Sequence, residues 1–285
     1  MKKLLLILTS CFILTGCLKK DDFDNITIYT TTYPIEYITN ILYSEHSKIY
    51  SIYPDGVDIN NYKLTDKQIN NYSKSDLYIF NGLSNEKEYV QSMFKKNKNL
   101  MIIDATQTME QNNNNEELWI DPSNFLMMTT NIKNGLLKYI DNHYLKEEII
   151  NNYEELKIKI SNIDAKLKLL SENCKNKIII TDNSVFKFLE KYGFTVITLE
   201  KNNSLTDKTV SDAINLLNNK QNSYIFTLNK DNLNDIVKNV INKTQAKTLE
   251  FNHISTITDE QRTSNEDYIT LINDNIDKLK EELYD

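Results

Sequence analysis

The sequence predicts an α/β protein of two lobes, each a four-stranded parallel sheet flanked by helices, joined by a long connecting helix. Three features carry that expectation: a strand–helix alternation that occurs twice, a strandless middle segment with helical periodicity, and a shortage of flexible-linker residues between the two. Alternating β and α segments imply a parallel sheet covered on both faces. The first four strands are NITIYTTT (25–32), KIYSIYP (48–54), DLYIFNG (76–82) and LMIIDAT (100–106). Amphipathic stretches at Ile35–Tyr43, Thr65–Ser73 and Asn85–Phe94 separate them. The rhythm returns with KIIITDN (177–183), FTVITLE (194–200), SYIFTLN (223–229) and AKTLEFN (246–252), alternating with helices near Val185–Lys191, Asp207–Asn218 and Asp231–Asn242. A last helix spans Glu266–Glu282.

Between the halves, Ile149, Tyr153, Leu156, Ile160, Ile163, Leu167 and Leu170 recur at helical spacing, so 124–175 reads as a stiff helical connector. Gly135 is its single glycine, which argues against a flexible linker. The run Gln111–Asn115 is low in complexity and reads as an exposed loop.

The N-terminus sets the expected compartment. Lys2 and Lys3 precede the apolar run Leu4–Leu14, which ends in Leu14-Thr15-Gly16-Cys17. The run is too short for a spanning helix, which needs about 20 apolar residues, and matches a lipoprotein signal peptide. Residues 1–16 are expected to be removed and Cys17 lipidated, with 17–25 as a tether, 26–123 as the N-terminal lobe and 176–285 as the C-terminal lobe. Cleavage leaves Cys17 and Cys174, so no disulfide is expected. Losing Lys2 and Lys3 moves the formal charge from −7 to −9, an acidic balance that disfavours nucleic-acid binding. Lysine supplies every basic residue except Arg262. No GxSxG, phosphate-cradling glycine loop, HExxH or CxxC is present, so the sequence offers no recognised catalytic constellation.

More specific signals follow along the chain: TTYPIEYITNIL (31–42), SIYPDGVDINNYKLT (51–65), SKSDLYIFNGL (73–83), LWIDPSNF (118–125), TDNSVFKFLEKYGFTVI (181–197), SYIFTLN (223–229) and EDYITLINDNIDKLKEEL (266–283). Together these resemble the zinc and manganese solute-binding lipoproteins of metal ABC importers, over about residues 26–283. Pro34, Pro54, Gly56, Gly82, Pro122 and Gly193 fall at motif positions, in a chain with only three prolines and five glycines.

The resemblance implies the two-lobed fold of cluster A-I solute-binding proteins and a permease and ATPase as partners. It implies a monomer held by lipid on the outer face of the cytoplasmic membrane, as on a Gram-positive cell surface. It also implies a metal site, and here the chain departs from the pattern. The histidine expected six residues after the loop proline is Asn60. The one expected two residues before the tryptophan is Glu117, and the one expected ten before the Tyr-Gly pair is Asp182. The carboxylate of the fourth segment is Leu228, and the aspartate ending the last strand is Asn252.

Asp182, Leu228 and Asn252 stand at predicted strand C-termini and Asn60 just past one, the edge where open α/β sheets bind ligands. Two such edges facing across a connector make an interlobe cleft. An Asn60, Glu117, Asp182, Asn252 set offers oxygen donors, which suits manganese or another hard divalent cation over zinc as the transported ligand. A non-metal solute, or a receptor fold kept as a surface adhesin or interaction protein, stands beside that reading. Tyr62, Trp119, Leu228 and His253 are further cleft candidates: the aromatic pair as a wall for an organic solute or as packing, and His253 as an imidazole one residue from Asn252. His46 and His143 lie outside the motifs and read as surface residues.

Overall fold

The structure is a computed structural model and describes residues 23–110, 117–202 and 205–284. The expected signal peptide, Cys17 and the expected loop at Gln111–Asn115 lie outside the described residues. Among the described residues, no helix is long and apolar enough to cross a membrane.

In chain order the elements are β1 (Ile26–Thr30), α1 (Tyr33–Tyr43), β2 (Ser47–Ser51), α2 (Asp66–Tyr72), β3 (Leu77–Phe80), α3 (Lys87–Lys96) and β4 (Met101–Asp104). Next come α4 (Pro122–Tyr139) and α5 (His143–Asn173). The second half holds β5 (Ile178–Thr181), β6 (Thr195–Thr198), α6 (Asp207–Asn218), β7 (Tyr224–Thr227), α7 (Asp235–Thr244), β8 (Lys247–Glu250), α8 (Asp259–Thr263) and α9 (Tyr268–Leu283). Both sheets are parallel and share one order, β2-β1-β3-β4 and β6-β5-β7-β8. Ile28 pairs with both Ile49 and Leu77 in the first sheet, and Ile180 pairs with Ile197 in the second. In each sheet the winding reverses beside the first strand, so the C-terminal ends of β1 and β3, and of β5 and β7, flank a topological switch point. The central strand β3, Leu-Tyr-Ile-Phe, is buried at every position because helices cover both its faces.

Local chemistry sets the element ends. Asp121 accepts a hydrogen bond from the Ser123 N–H at 2.9 Å, and Pro122 opens α4, so the IDP stretch is a helix start. Thr65 and Gln68 form a reciprocal capping box on α2, and Asp267 with Thr270 forms another on α9. Gly193 closes its helix at φ +93°, a left-handed position that suits glycine.

The long connecting helix is α5, and a separate helix, α4, precedes it, largely within the 124–175 segment. The Asn142 side chain caps α5 by accepting from Tyr144 N–H at 2.9 Å, and the chain breaks at 140–142. The rod is therefore α5 alone, 31 residues, or about 46 Å at the α-helical rise. Its stripe, Ile149, Tyr153, Leu156, Ile160, Ile163, Leu167 and Leu170, is buried in a continuous core that also takes in Ile28 and Ile38 of the first half and Phe226, Ile272 and Leu279 of the second. At about 1.5–3 kcal/mol per fully buried aliphatic side chain, this shared core couples the lobes. Satellite clusters cover the outer sheet faces, around Tyr78 and Phe80 in one lobe and Ile180 and Ile225 in the other. Cys174 is the cysteine of the described residues and is buried, and burial pushes its thiol up.

Three elements add detail to the expected order. The helix expected near Val185–Lys191 is present as a 3₁₀ helix, Ser184–Tyr192, in which Phe186 and Leu189, three apart, lie buried. The helix expected from Asp231 begins at Asp235, because it is the Asn234 side chain that accepts from Ile236 and Val237 N–H, both at 3.0 Å. The short helix α8 was not anticipated, although its Thr258–Gln261 capping box is spelled out as TDEQ.

Candidate functional site

A cleft of about 770 Å³ lies between the lobes, and it contains all four residues of the expected ligand set: Asn60, Glu117, Asp182 and Asn252. Each is delivered by a separate loop. Asn60 follows β2 in a segment turned by Gly56 at φ +71°, a left-handed position that would strain a residue bearing a Cβ. Glu117 precedes the 3₁₀ turn Leu118–Ile120 that leads into α4. Asp182 leaves β5, and Asn252 follows β8.

Asp182 occupies the switch point of the second sheet. Its N–H donates to Phe226 O at 2.9 Å, bridging the ends of β5 and β7, and the Thr227 hydroxyl donates to its Oδ2. The other carboxylate oxygen, Oδ1, is buried and has no hydrogen-bond partner among the described residues. Burial pushes the Asp182 carboxyl up to about 6, against the opposing pull of the Thr227 hydroxyl and backbone N–H groups.

The amides are less free than their sequence positions suggest. Asn252 Oδ1 already accepts from Ile254 N–H at 2.9 Å, so one of its two lone pairs is spent locally. The Asn252 backbone is pinned to α9 by Asn275, through bonds of 2.8 and 2.9 Å. Ile254 itself sits at φ +57°, an uncommon left-handed conformation for a β-branched residue, and is completely buried. Asn60 is exposed, and its N–H is held by Asp58 Oδ1 at 3.0 Å.

The additional cleft candidates divide. Leu228 and His253 line the cleft. The His253 Nδ1 is engaged by Ser255, at 3.3 Å to its N–H and 2.5 Å to its hydroxyl, and burial lowers the imidazole below its ordinary value. Trp119 is not a cleft wall. It is 0% exposed, with Nε1 donating to His253 O at 2.8 Å, because an indole this large is better satisfied in the core with one polar partner. Tyr62 lines a smaller neighbouring hollow in the first lobe, where it packs edge-on to Tyr53 and accepts from Gln68 Nε2 at 2.7 Å. His46 lies between Asp24 and Glu148, and His143 is paired with Glu147, both away from the cleft.

Three carboxylates not singled out from the sequence also line the cleft: Asp58, Asp231 and Glu250. Each sits in a strand-end stretch, where carboxylates are routine turn and cap residues, so nothing local distinguishes them. Lys278 is the cleft's lysine, and it is paired with Asp274 at 2.7 Å. The lining thus presents an excess of negative charge and of oxygen donors. Among the described residues, no group of three or more His, Cys, Asp or Glu converges closely enough to hold a metal by itself. A cation here would therefore draw on amide oxygens and water as well as carboxylates.

This architecture matches known proteins. The ZnuA family, described as "Zinc-uptake complex component A periplasmic", matches residues 28–282. The metal ABC transporter substrate-binding lipoprotein SloC of Streptococcus mutans is 25% identical over 212 residues, 67% of this chain and 69% of that protein. The zinc-bound ZnuA-like domain of Streptococcus pneumoniae AdcA superposes with a TM-score of 0.74 at 18% identity, covering 92% of this chain and 100% of that one. A manganese-bound point mutant of a periplasmic metal-binding protein of Candidatus Liberibacter asiaticus gives a TM-score of 0.71 at 19% identity, covering 90% and 99%. At such identities the superpositions establish the shared fold.

Proposed function

Because this chain belongs to the ZnuA family, we propose that it is the extracytoplasmic binding lipoprotein of a metal ABC importer, capturing a divalent cation between its lobes and handing it to a permease driven by an ATPase. It acts by binding and release, with no chemical step. The observation that carries this reading is the buried, unpartnered Oδ1 of Asp182 in a cleft whose other lining groups are largely carboxylates and amides. Leaving a carboxylate oxygen buried without a donor is costly, and a cation recovers that cost.

The donor set is Asn60, Glu117, Asp182 and Asn252. With two carboxylates, two amides and no imidazole among its members, the set favours manganese or another hard cation over zinc. Water completes the shell. Calorimetric titration of the chelator-stripped mature protein is expected to show manganese or calcium bound with modest affinity and zinc bound no more tightly. Nanomolar zinc binding that survives both Glu117→Ala and Asp182→Ala would sink the proposed donor set. Failure to bind any divalent ion would return the cleft to a non-metal solute or an interaction role.

In this reading residues 1–16 are the signal peptide and 17–25 a tether. Residues 26–123 and 176–285 are the lobes, with 124–175 as the connector, and the protein works as a monomer. Lipid on Cys17 holds it at the outer face of the cytoplasmic membrane. Cys17→Ala is expected to release the protein into the medium. A variant that stays fully membrane-bound and needs detergent for extraction would rule out the lipid anchor.

A further inference from the structure

The chain has 33 basic residues and a single arginine, Arg262, and that arginine joins the two lobes. It lies on α8 of the second half, yet both its acidic partners belong to the first. Its Nε and Nη2 grip Asp55 at 2.7 and 2.8 Å, a two-pronged contact, while Nη1 and Nη2 reach Glu36 at 2.9 and 3.4 Å. Glu36 is only 7% exposed, so losing this partner would leave a buried carboxylate short of donors. A lysine ammonium, as a point charge, cannot span two carboxylates in this way.

Arg262 ends a strap that begins at the cleft. Successive alternate carbonyls of the strap accept from the first lobe: His253 O from Trp119 Nε1 at 2.8 Å, Ser255 O from Tyr33 N–H at 2.9 Å, and Ile257 O from Gly56 N–H at 2.8 Å. The Thr256 hydroxyl adds a bond to Val57 O at 3.2 Å. Asp55, Gly56 and Val57 lead directly into Asp58, whose carboxylate holds the Asn60 N–H at 3.0 Å and Asn61 Nδ2 at 2.6 Å. One covalent segment therefore runs from Asn252 and His253 on one cleft wall to the guanidinium that grips the root of the opposite wall.

We propose that Arg262 is the positioning residue of the cation site: by clamping Asp55 and Glu36 across the lobe boundary, it fixes the 54–61 loop, and with it Asn60 and Asp58, opposite Asn252. The inference rests on the cleft being the solute site. It adds that the cleft is set in register before any solute arrives, by contacts outside the donor set.

Two readouts on the mature lipoprotein separate this inference from the metal reading. Hydrogen exchange followed by mass spectrometry reports the Gly56 amide without any ligand. Arg262→Lys and Asp55→Asn are each expected to speed exchange across 54–61 by about tenfold, while the α5 peptides keep wild-type protection. Asp55→Asn leaves Glu36 its partner, so it remains informative where an Arg262 variant folds poorly. Manganese titration of the same variants is expected to show about a tenfold loss of affinity, as for other outer-shell changes. Unchanged exchange over 54–61 in both variants overturns the clamp, as does exchange that rises equally in α5. Faster local exchange with wild-type manganese affinity overturns the positioning role. If the wild type binds no divalent ion, the metal reading falls together with the positioning role, and the exchange data still decide the clamp.

Discussion

Asp182→Asn is expected to abolish cation binding and, at the same time, to stabilise the empty protein by about 3 kcal/mol at pH 7. The two effects share one cause. Burial in the floor of the cleft pushes the Asp182 carboxyl up to about 6, roughly two units above the ordinary carboxylate value. A carboxyl raised in the folded state favours folding only while it is protonated. Its contribution is fully present below about pH 4, declines as pH rises through about 6, and is absent at neutrality. The isosteric amide removes the buried charge and can still accept from the Thr227 hydroxyl. Denaturant unfolding of the wild type and the variant should therefore converge near pH 4 and diverge towards pH 7, with the variant the more stable. Cation affinity of the wild type should fall as pH drops below about 6, where the carboxylate takes up its proton. A variant less stable than the wild type at pH 7 would mean that the charge is stabilised by something within the empty cleft, contrary to this account.

Much of the fold is legible along the chain because buried parallel strands leave a local signature. Runs such as LYIF and IIIT are apolar and β-branched or aromatic at nearly every position, and the α5 stripe keeps its period over 31 residues. Proline and glycine mark turns whose backbone demands are local as well, as at Gly56 and Gly193. The site is legible only as a set of positions. That Asn60, Glu117, Asp182 and Asn252 share one cleft follows from strand ends meeting. Which atoms remain available does not: Asn252 spends a lone pair on Ile254 N–H, a consequence of the left-handed turn at Ile254 that no residue type announces. Arg262 stands out in composition, but its partners are 207 and 226 residues away, so its role depends on tertiary contacts that periodicity cannot reveal. The break at Asn142 is an intermediate case, since an asparagine cap is visible in the sequence while the apolar spacing on either side suggests continuity.

Trp119 sharpens the distinction between an aromatic wall and an aromatic core residue, and Trp119→Ala is expected to cost about 3–5 kcal/mol of folding stability. The indole is fully buried in the core shared by the two lobes, and its N–H satisfies His253 O at 2.8 Å at the start of the strap. Its own carbonyl accepts from the Tyr268 hydroxyl, whose ring stacks on Phe125 with centroids 3.6 Å apart. Removing the indole opens a cavity between elements of both halves and leaves the His253 carbonyl without its donor. Trp119→Phe retains most of the volume and loses only the N–H, so it should cost less, about 1–3 kcal/mol for the orphaned carbonyl. Because Trp119 is the chain's single tryptophan, unfolding is best followed by far-ultraviolet circular dichroism rather than indole fluorescence. The ordering wild type, Trp119→Phe, Trp119→Ala in denaturant midpoint is the expected result. If Trp119→Phe instead kept full stability while solute binding fell sharply, the ring would have to face the cleft, and its place in the interlobe core would be wrong.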